Sequence, residues 1–320
     1  MKFLIDAHHG LGDVIKLIPM IDNVRSFFPD AIIDVLILSD DRNELLRYSG
    51  IVNNTYIIDG QKSSFFHLLN TVLSIRKVFY DVGLIAPMAA GRKMYLFFKL
   101  CRCKHIIAPT KESRDSNELI QSLSLIEQLG LQPHYETPLL CKRNPGSIKK
   151  NRIGICMSGK NDKSNGRYSN DKRKVSDSVL IETANMLVSH GYEVILFGGP
   201  EEELCVKALS DDIDFRVENR INELSIPETI EYMNTCDLII SGECGMAHMA
   251  DASGTQTLIY QTVSDMDVVG PFSTRVHRLT ANLPCQYCLR TPEFEACKSE
   301  ECVRYITAGR IVNEVKSIVG

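Results

Sequence analysis

The sequence predicts an α/β fold of two Rossmann-like domains facing a cleft, and three observations carry that expectation. The first is length, because 320 residues exceed one ordinary core and suit two domains of about 150 residues each. The second is alternation, in which short apolar runs recur between longer amphipathic stretches, the pattern of parallel sheets with crossover helices. The third is a single break in that rhythm at residues 132–150, where Pro133, Pro138, Pro145 and Gly146 stand among charges. These place one domain at 1–140, a linker at 141–151, a second domain at 152–305 and a terminal helix at 306–320.

In order along the chain, a strand at 2–7, a helix at 14–28 and a strand at 32–38 form the first βαβ unit. Strands at 55–58, 82–86 and 105–108 then alternate with helices at 65–79, 92–100 and 117–129. The second domain repeats the pattern, with strands at 152–157, 193–197, 238–240 and 257–260 and helices at 177–189, 201–209, 226–233 and 246–252. Strands of four to seven apolar residues between such helices fit a doubly wound sheet. Ile306, Ile311, Val312, Val315 and Val319 fall at helical spacing and predict a packed terminal helix.

A net charge of −4 argues against a general nucleic-acid binder, which needs a basic surface to neutralise phosphates. No apolar run reaches the ~18 residues of a membrane span, and Asp6 comes too early for a signal peptide. The expectation is a cytoplasmic protein. Seven of its eleven cysteines are scattered and read as small buried hydrophobes. The other four, Cys285, Cys288, Cys297 and Cys302, cluster in a polar segment, where thiolates suit structural Zn or Fe in a tetrahedral site. Free thiols or an oxidised pair are the alternatives.

Four loops at the carboxyl ends of predicted strands hold the polar chemistry. His8-His9-Gly10-Leu11-Gly12-Asp13 allows close backbone approach at Gly10 and Gly12, with Asp13 either facing a ligand or capping the next helix. Residues 158–174 begin at Ser158 and carry Lys160, Lys163, Arg167, Lys172, Arg173 and Lys174, a set that either clamps a diphosphate or is a solvated surface loop. Phe197-Gly198-Gly199-Pro200-Glu201-Glu202-Glu203 places a carboxylate against ribose hydroxyls or starts a helix with acids that suit its dipole. Gly242-Glu243-Cys244-Gly245-Met246-Ala247-His248 runs from a strand into a helix whose first N–H groups attract an anion.

These loops resemble glycosyltransferase family 9, the ADP-heptose:lipopolysaccharide heptosyltransferases. The resemblance lies in Gly10-Leu11-Gly12-Asp13-Val14-Ile15-Lys16-Leu17-Ile18-Pro19 with Phe28-Pro29-Asp30-Ala31, then in Val194-Ile195-Leu196-Phe197-Gly198-Gly199-Pro200-Glu201-Glu202. It continues in Ile239-Ile240-Ser241-Gly242-Glu243-Cys244-Gly245-Met246-Ala247-His248-Met249-Ala250. The motifs keep family order across most of the chain, and residues 60–129 resemble it least.

The resemblance implies the GT-B fold, with an amino-terminal acceptor domain and a carboxy-terminal nucleotide-sugar domain. It also implies an inverting, metal-independent transfer in which Asp13 is the general base, taking the proton of the acceptor hydroxyl. Donor contacts would come from Ser158, Lys172, Arg173, Lys174, Gly199, Glu201, Glu243, Cys244, Gly245 and His248, with Gly10 and Gly12 on the acceptor side. The chain departs from the family at several points. Lys172-Arg173-Lys174-Val175-Ser176 stands where Lys-x-Trp-Pro is usual, and counting back from Glu182-Thr183-Ala184 puts Arg173 on the family lysine. Gly242-Glu243-Cys244-Gly245 replaces Asn-Asp-Ser/Thr-Gly, and Gln261-Thr262-Val263 replaces Gly-Pro-Thr. Members of the family that glycosylate proteins bind iron at a cysteine-rich segment near this one.

The expected activity is therefore transfer of a sugar, with heptose from ADP-heptose favoured, to a glycan or lipid-linked glycan such as lipopolysaccharide core. No cofactor is required for that catalysis. A UDP- or GDP-sugar donor, and a silent sugar-nucleotide binder or scaffold, are the alternatives. Arg92, Lys93, Lys99, Arg102 and Lys104 beside Phe97, Phe98 and Leu100 are candidates for peripheral contact with the inner face of the membrane. The competing reading is a core-facing apolar stripe with solvated cations.

Overall fold

The structure is a computed structural model that describes residues 1–58, 65–87, 91–110, 116–135, 138–141, 151–157, 170–289 and 291–320. Ser158, Lys160, Lys163 and Arg167 lie outside the described residues. The chain divides into two compact units, Met1–Pro138 and Leu139–Gly320.

The amino-terminal unit contains β1 (Lys2–Ala7), α1 (Leu11–Phe27), β2 (Ile32–Ile37), α2 (Asp40–Ser49), β3 (Asn54–Ile57), α3 (Phe65–Arg76), β4 (Val82–Leu84), α4 (Arg92–Leu100), β5 (His105–Ile107) and α5 (Glu118–Glu127). Its five strands are all parallel in the order β3-β2-β1-β4-β5. β1 is central, pairing Phe3 with Ile33 on one side and with Val82 on the other. That position explains its near-continuous apolar run, since a strand covered on both faces gains nothing from alternation. Helix α1 begins at Leu11, three residues earlier than its apolar stripe suggests, because Gly10 is extended at φ −61° and ψ 160° and serves as N-cap. Asn23 on α1 exchanges backbone bonds with His134, which pins the segment after α5 to this unit.

The carboxy-terminal unit contains β6 (Arg152–Cys156), α6 (Asp177–Ser189), β7 (Glu193–Phe197), α7 (Pro200–Ala208), β8 (Glu218–Asn219), α8 (Ile226–Asn234), β9 (Leu238–Ser241), α9 (Gly245–Ala252), β10 (Gln256–Gln261), α10 (Met266–Val269), β11 (Val276–Thr280), α11 (Pro292–Ala296), α12 (Glu301–Tyr305) and α13 (Ala308–Val319). Its six-stranded sheet, again parallel, has the order β11-β10-β9-β6-β7-β8. Counted from β6, that is the 3-2-1-4-5-6 winding of a dinucleotide-binding domain. Helix α13, capped by Thr307, buries Ile311, Val312 and Val315 in the core shared with Leu180, Ala184 and Leu187 of α6.

The elements α2, β8 and β11, with the short helices α10, α11 and α12, have no counterpart among the predicted ones. α2 opens with Asp40-Asp41-Arg42-Asn43 and buries only Arg42, Leu45 and Leu46, too little apolar periodicity to stand out. β8 is two residues long, and β11, Val-His-Arg-Leu-Thr, is an edge strand with a single fully buried position.

Candidate functional site

Each sheet reverses its winding once, between β1 and β4 in one unit and between β6 and β9 in the other. Loops leaving the carboxyl ends of strands at such a reversal bound the ligand crevice of an open α/β sheet. Residues 10–13 leave β1, residues 242–248 leave β9, and Arg173 stands at the end of the long connection after β6.

On the amino-terminal unit, Asp13 lies in the first turn of α1 and is not its cap, which corrects the capping alternative. A Cβ on Gly10 would come within 3.2 Å of Asp13 Oδ2, so glycine leaves the carboxylate room to fold back over the loop. Asp13 Oδ1 pairs at 2.9 Å with Lys16 Nζ, and its side chain stays 34% exposed. Lys16 itself is buried and pairs on its other side with Glu118 of α5. The carboxylate is thus held by a cation anchored across two helices. Lys16 is absent from the sequence-derived set because Glu118 is 102 positions away, although its i+3 spacing from Asp13 on a helix was a usable signal.

Behind Asp13, Asp6 is fully buried at the end of β1. One oxygen accepts from the His8 amide at 3.1 Å, and the other stands 3.8 Å from His9 Nε2. Asp6 Oδ2, His8 Nε2 and His9 Nε2 are buried without a hydrogen-bond partner among the described residues. Buried polar atoms of this kind call for a ligand or water.

On the carboxy-terminal unit, Gly242 is required by sterics, since a Cβ there would lie 2.6 Å from Tyr260 Oη and 2.7 Å from its ring. Glu243 is buried, and its side chain turns inward. One carboxylate oxygen accepts from the Thr262 amide and, at 3.1 Å, from its hydroxyl, while the other accepts from the Ser264 amide at 2.9 Å. Burial raises this carboxyl's pKa from its ordinary value, opposed by those bonds and by Arg173. This corrects the expectation that Glu243 faces a ligand: it ties the β9–α9 turn to the loop after β10. Cys244 is the N-cap of α9 yet makes no side-chain cap bond, its thiol standing 3.6 Å from Ser241 Oγ. Gly245 starts the helix, and His248 is buried in its first turn.

The basic loop separates into three roles. Arg173 reaches the β9–α9 turn, with Nη2 donating to the Glu243 carbonyl at 2.9 Å. Its Nε is buried and has no partner among the described residues. Lys172 is otherwise engaged, donating to the carbonyls of Phe294 at 2.6 Å and Cys297 at 2.8 Å and lying over the Phe294 ring. Lys174 pairs at 2.5 Å with Asp177 in the first turn of α6. Lys172 and Lys174 are thereby corrected from diphosphate clamps to supports of the surrounding loops.

In the loop after β7, Glu202 forms the capping box of α7, its carboxylate accepting from the Gly199 amide at 2.8 Å. Glu203 pairs with Lys207 and accepts from Asn222. Glu201 is exposed and is the acid of the three with no bond among the described residues.

Among the described residues no group of three or more His, Cys, Asp or Glu is placed to hold a metal ion, which gives the Zn or Fe expectation no support. Cys302 and Cys288 pack with Val263 and Phe294, whereas Cys285 is exposed. Burial pushes the Cys302 thiol up to about 11, and the Glu300 backbone N–H lowers the pKa of Cys297.

The glycosyltransferase family 9 (heptosyltransferase) model matches residues 180–299. No curated protein matches the chain in sequence. Among solved structures, E. coli ADP-heptose LPS heptosyltransferase II is 16% identical with a TM-score of 0.78, over 100% of this chain and 98% of its own. A family 9 glycosyl transferase from Veillonella parvula DSM 2008 is 15% identical with a TM-score of 0.77, over 99% and 97%. E. coli heptosyltransferase WaaC with ADP is 12% identical with a TM-score of 0.75, over 99% of both chains. The chain thus matches the family 9 model over part of its carboxy-terminal unit and shares the GT-B fold of these solved structures from end to end.

Proposed function

We propose that the protein transfers heptose from ADP-heptose, with inversion and without a metal, to a hydroxyl of a glycan or lipid-linked glycan such as lipopolysaccharide core. The observation that carries the donor side is Arg173, a guanidinium fixed on the β9–α9 turn with a buried N–H left over beside an uncapped helix start. In the proposed reaction the acceptor oxygen attacks the anomeric carbon while Asp13 takes its proton. The bond from that carbon to the diphosphate oxygen breaks, and the charge left on the diphosphate is met by Arg173 and the first N–H groups of α9. Glu201 and His248 are assigned to the nucleoside and sugar, and the unpartnered atoms of Asp6, His8 and His9 to acceptor hydroxyls. A lipid-linked acceptor would bring the protein to the inner face of the membrane.

Replacing Asp13 with Asn tests the base. Turnover of ADP-heptose with an acceptor glycan is expected to fall by about 10²–10⁴-fold, while stabilisation of the protein by ADP is retained. Unchanged turnover would remove Asp13 from that role. Replacing Arg173 with Ala is expected to abolish the ADP-induced rise in melting temperature and leave the apo protein folded.

A further inference from the structure

Helices α3 and α4 leave one face of the amino-terminal unit uncovered. α3 buries Ile75 and half-buries Val72, yet Phe66, Leu69 and Leu73 follow at i, i+3 and i+7 on the opposite side, at 74%, 41% and 46% exposure. Lys77 continues that stripe. On α4 the inward positions are Met94, Phe97, Phe98 and Cys101, so the sequence-level pairing of cations with Phe97 and Phe98 is corrected: those rings face the core. The outward side of α4 instead presents Leu96 and Leu100 among Arg92, Lys93 and Lys99.

Phe79 adds a second observation. It stands after α3 at φ +56°, a left-handed position normally taken by glycine or asparagine and strained for a bulky side chain, and its ring is 61% exposed. Arg102, itself at φ +63°, lies over that ring at 6.0 Å. Between them is a groove of ≈ 610 Å³ with Leu73 and Phe79 as apolar walls and Arg76, Lys77 and Arg102 as cations.

Charge is the third observation. Residues 65–107 hold seven Lys and Arg against one acid, Asp81, in a chain whose net charge is −4. Asp81 faces the Lys2 amide, and none of the seven cations forms an ion pair among the described residues. Exposed apolar side chains ringed by unpaired cations match an interface with one apolar and one anionic layer.

We infer that this face docks on an anionic lipid bilayer, with a lipid phosphate in the groove between Arg76, Lys77 and Arg102 and with Leu69, Leu73, Phe79 and Leu96 entering the headgroup boundary. The inference does not depend on the identity of donor or acceptor.

Cosedimentation of the full chain with vesicles tests it. One set is pure phosphatidylcholine and the other about one quarter phosphatidylglycerol. Binding to the anionic set, little to the neutral set, and loss on raising salt are expected. R76E/K77E is expected to weaken binding at least about tenfold, and R92E/K93E on the other helix to weaken it independently. L73S/F79S is expected to weaken it while leaving the melting temperature within a few degrees. No binding to the anionic vesicles, equal binding to both sets, or indifference to either charge reversal overturns the proposal. Binding that survives L73S/F79S reduces the effect to charge attraction and overturns the docked geometry. Because no nucleotide or acceptor is present, failure here is separate from failure of the transfer proposal.

Discussion

Tyr260 keeps its hydroxyl buried and without a partner among the described residues, directly under Gly242. Removing that hydroxyl in Y260F relieves an unsatisfied polar group at little change in shape, so stability is expected to rise by about 1 kcal/mol. Gly242→Ala pushes a methyl into the same ring and is expected to cost about 1–3 kcal/mol, read as a lower denaturant midpoint. Lys16 is a positioning residue for Asp13, and Lys16→Met is expected to lower kcat more than about tenfold with the donor KM unchanged. A matching rise in donor KM would mean the lysine acts elsewhere. At this scale the helix start near Gly245 was legible, because glycine spacing and helix starts are local. The sequence hid Lys16–Glu118 and Glu243–Thr262, whose partners meet only through the fold.

Among elements, the central strands of both sheets were legible because burial on two faces writes them as continuous apolar runs. α2 and β11 were not, since each buries few side chains. The contact between the β9–α9 turn and the loop after β10 could not be read from sequence either. It depends on one carboxylate accepting three bonds from Thr262 and Ser264. Glu243→Ala strands those donors and is expected to destabilise the protein by about 2–4 kcal/mol. It should also weaken ADP binding by loosening the turn on which Arg173 rests. Wild-type affinity in that variant would show that the turn holds its shape without the carboxylate.

For the molecule as a whole, the two reversal points put the legible motifs at the ends of strands where a nucleotide and an acceptor are expected. The cysteine segment puts Cys288 and Cys302 against an apolar cluster and leaves Cys285 exposed, a difference in burial that spacing alone does not reveal. Titration offers a global check through Asp251, whose carboxyl burial raises above its ordinary 3.8 despite Ser273 and Arg275. A raised folded pKa means the native state holds the proton more tightly. The resulting stability is complete below the unfolded value and is lost as pH rises through the folded one. D251N should therefore gain on the wild type as pH rises from the ordinary carboxyl value through the raised folded one, seen in paired melting curves.

The central claim is a nucleotide-diphosphate site built on Arg173 and the start of α9. Its most direct test is a thermal-shift titration of wild type and R173A with ADP, UDP, GDP and CMP, since a ligand that binds the native state raises its melting temperature. A selective rise with ADP is expected in the wild type and is lost in R173A. An ADP shift equal in both proteins, or no shift with any nucleotide or with ADP-heptose, would contradict it.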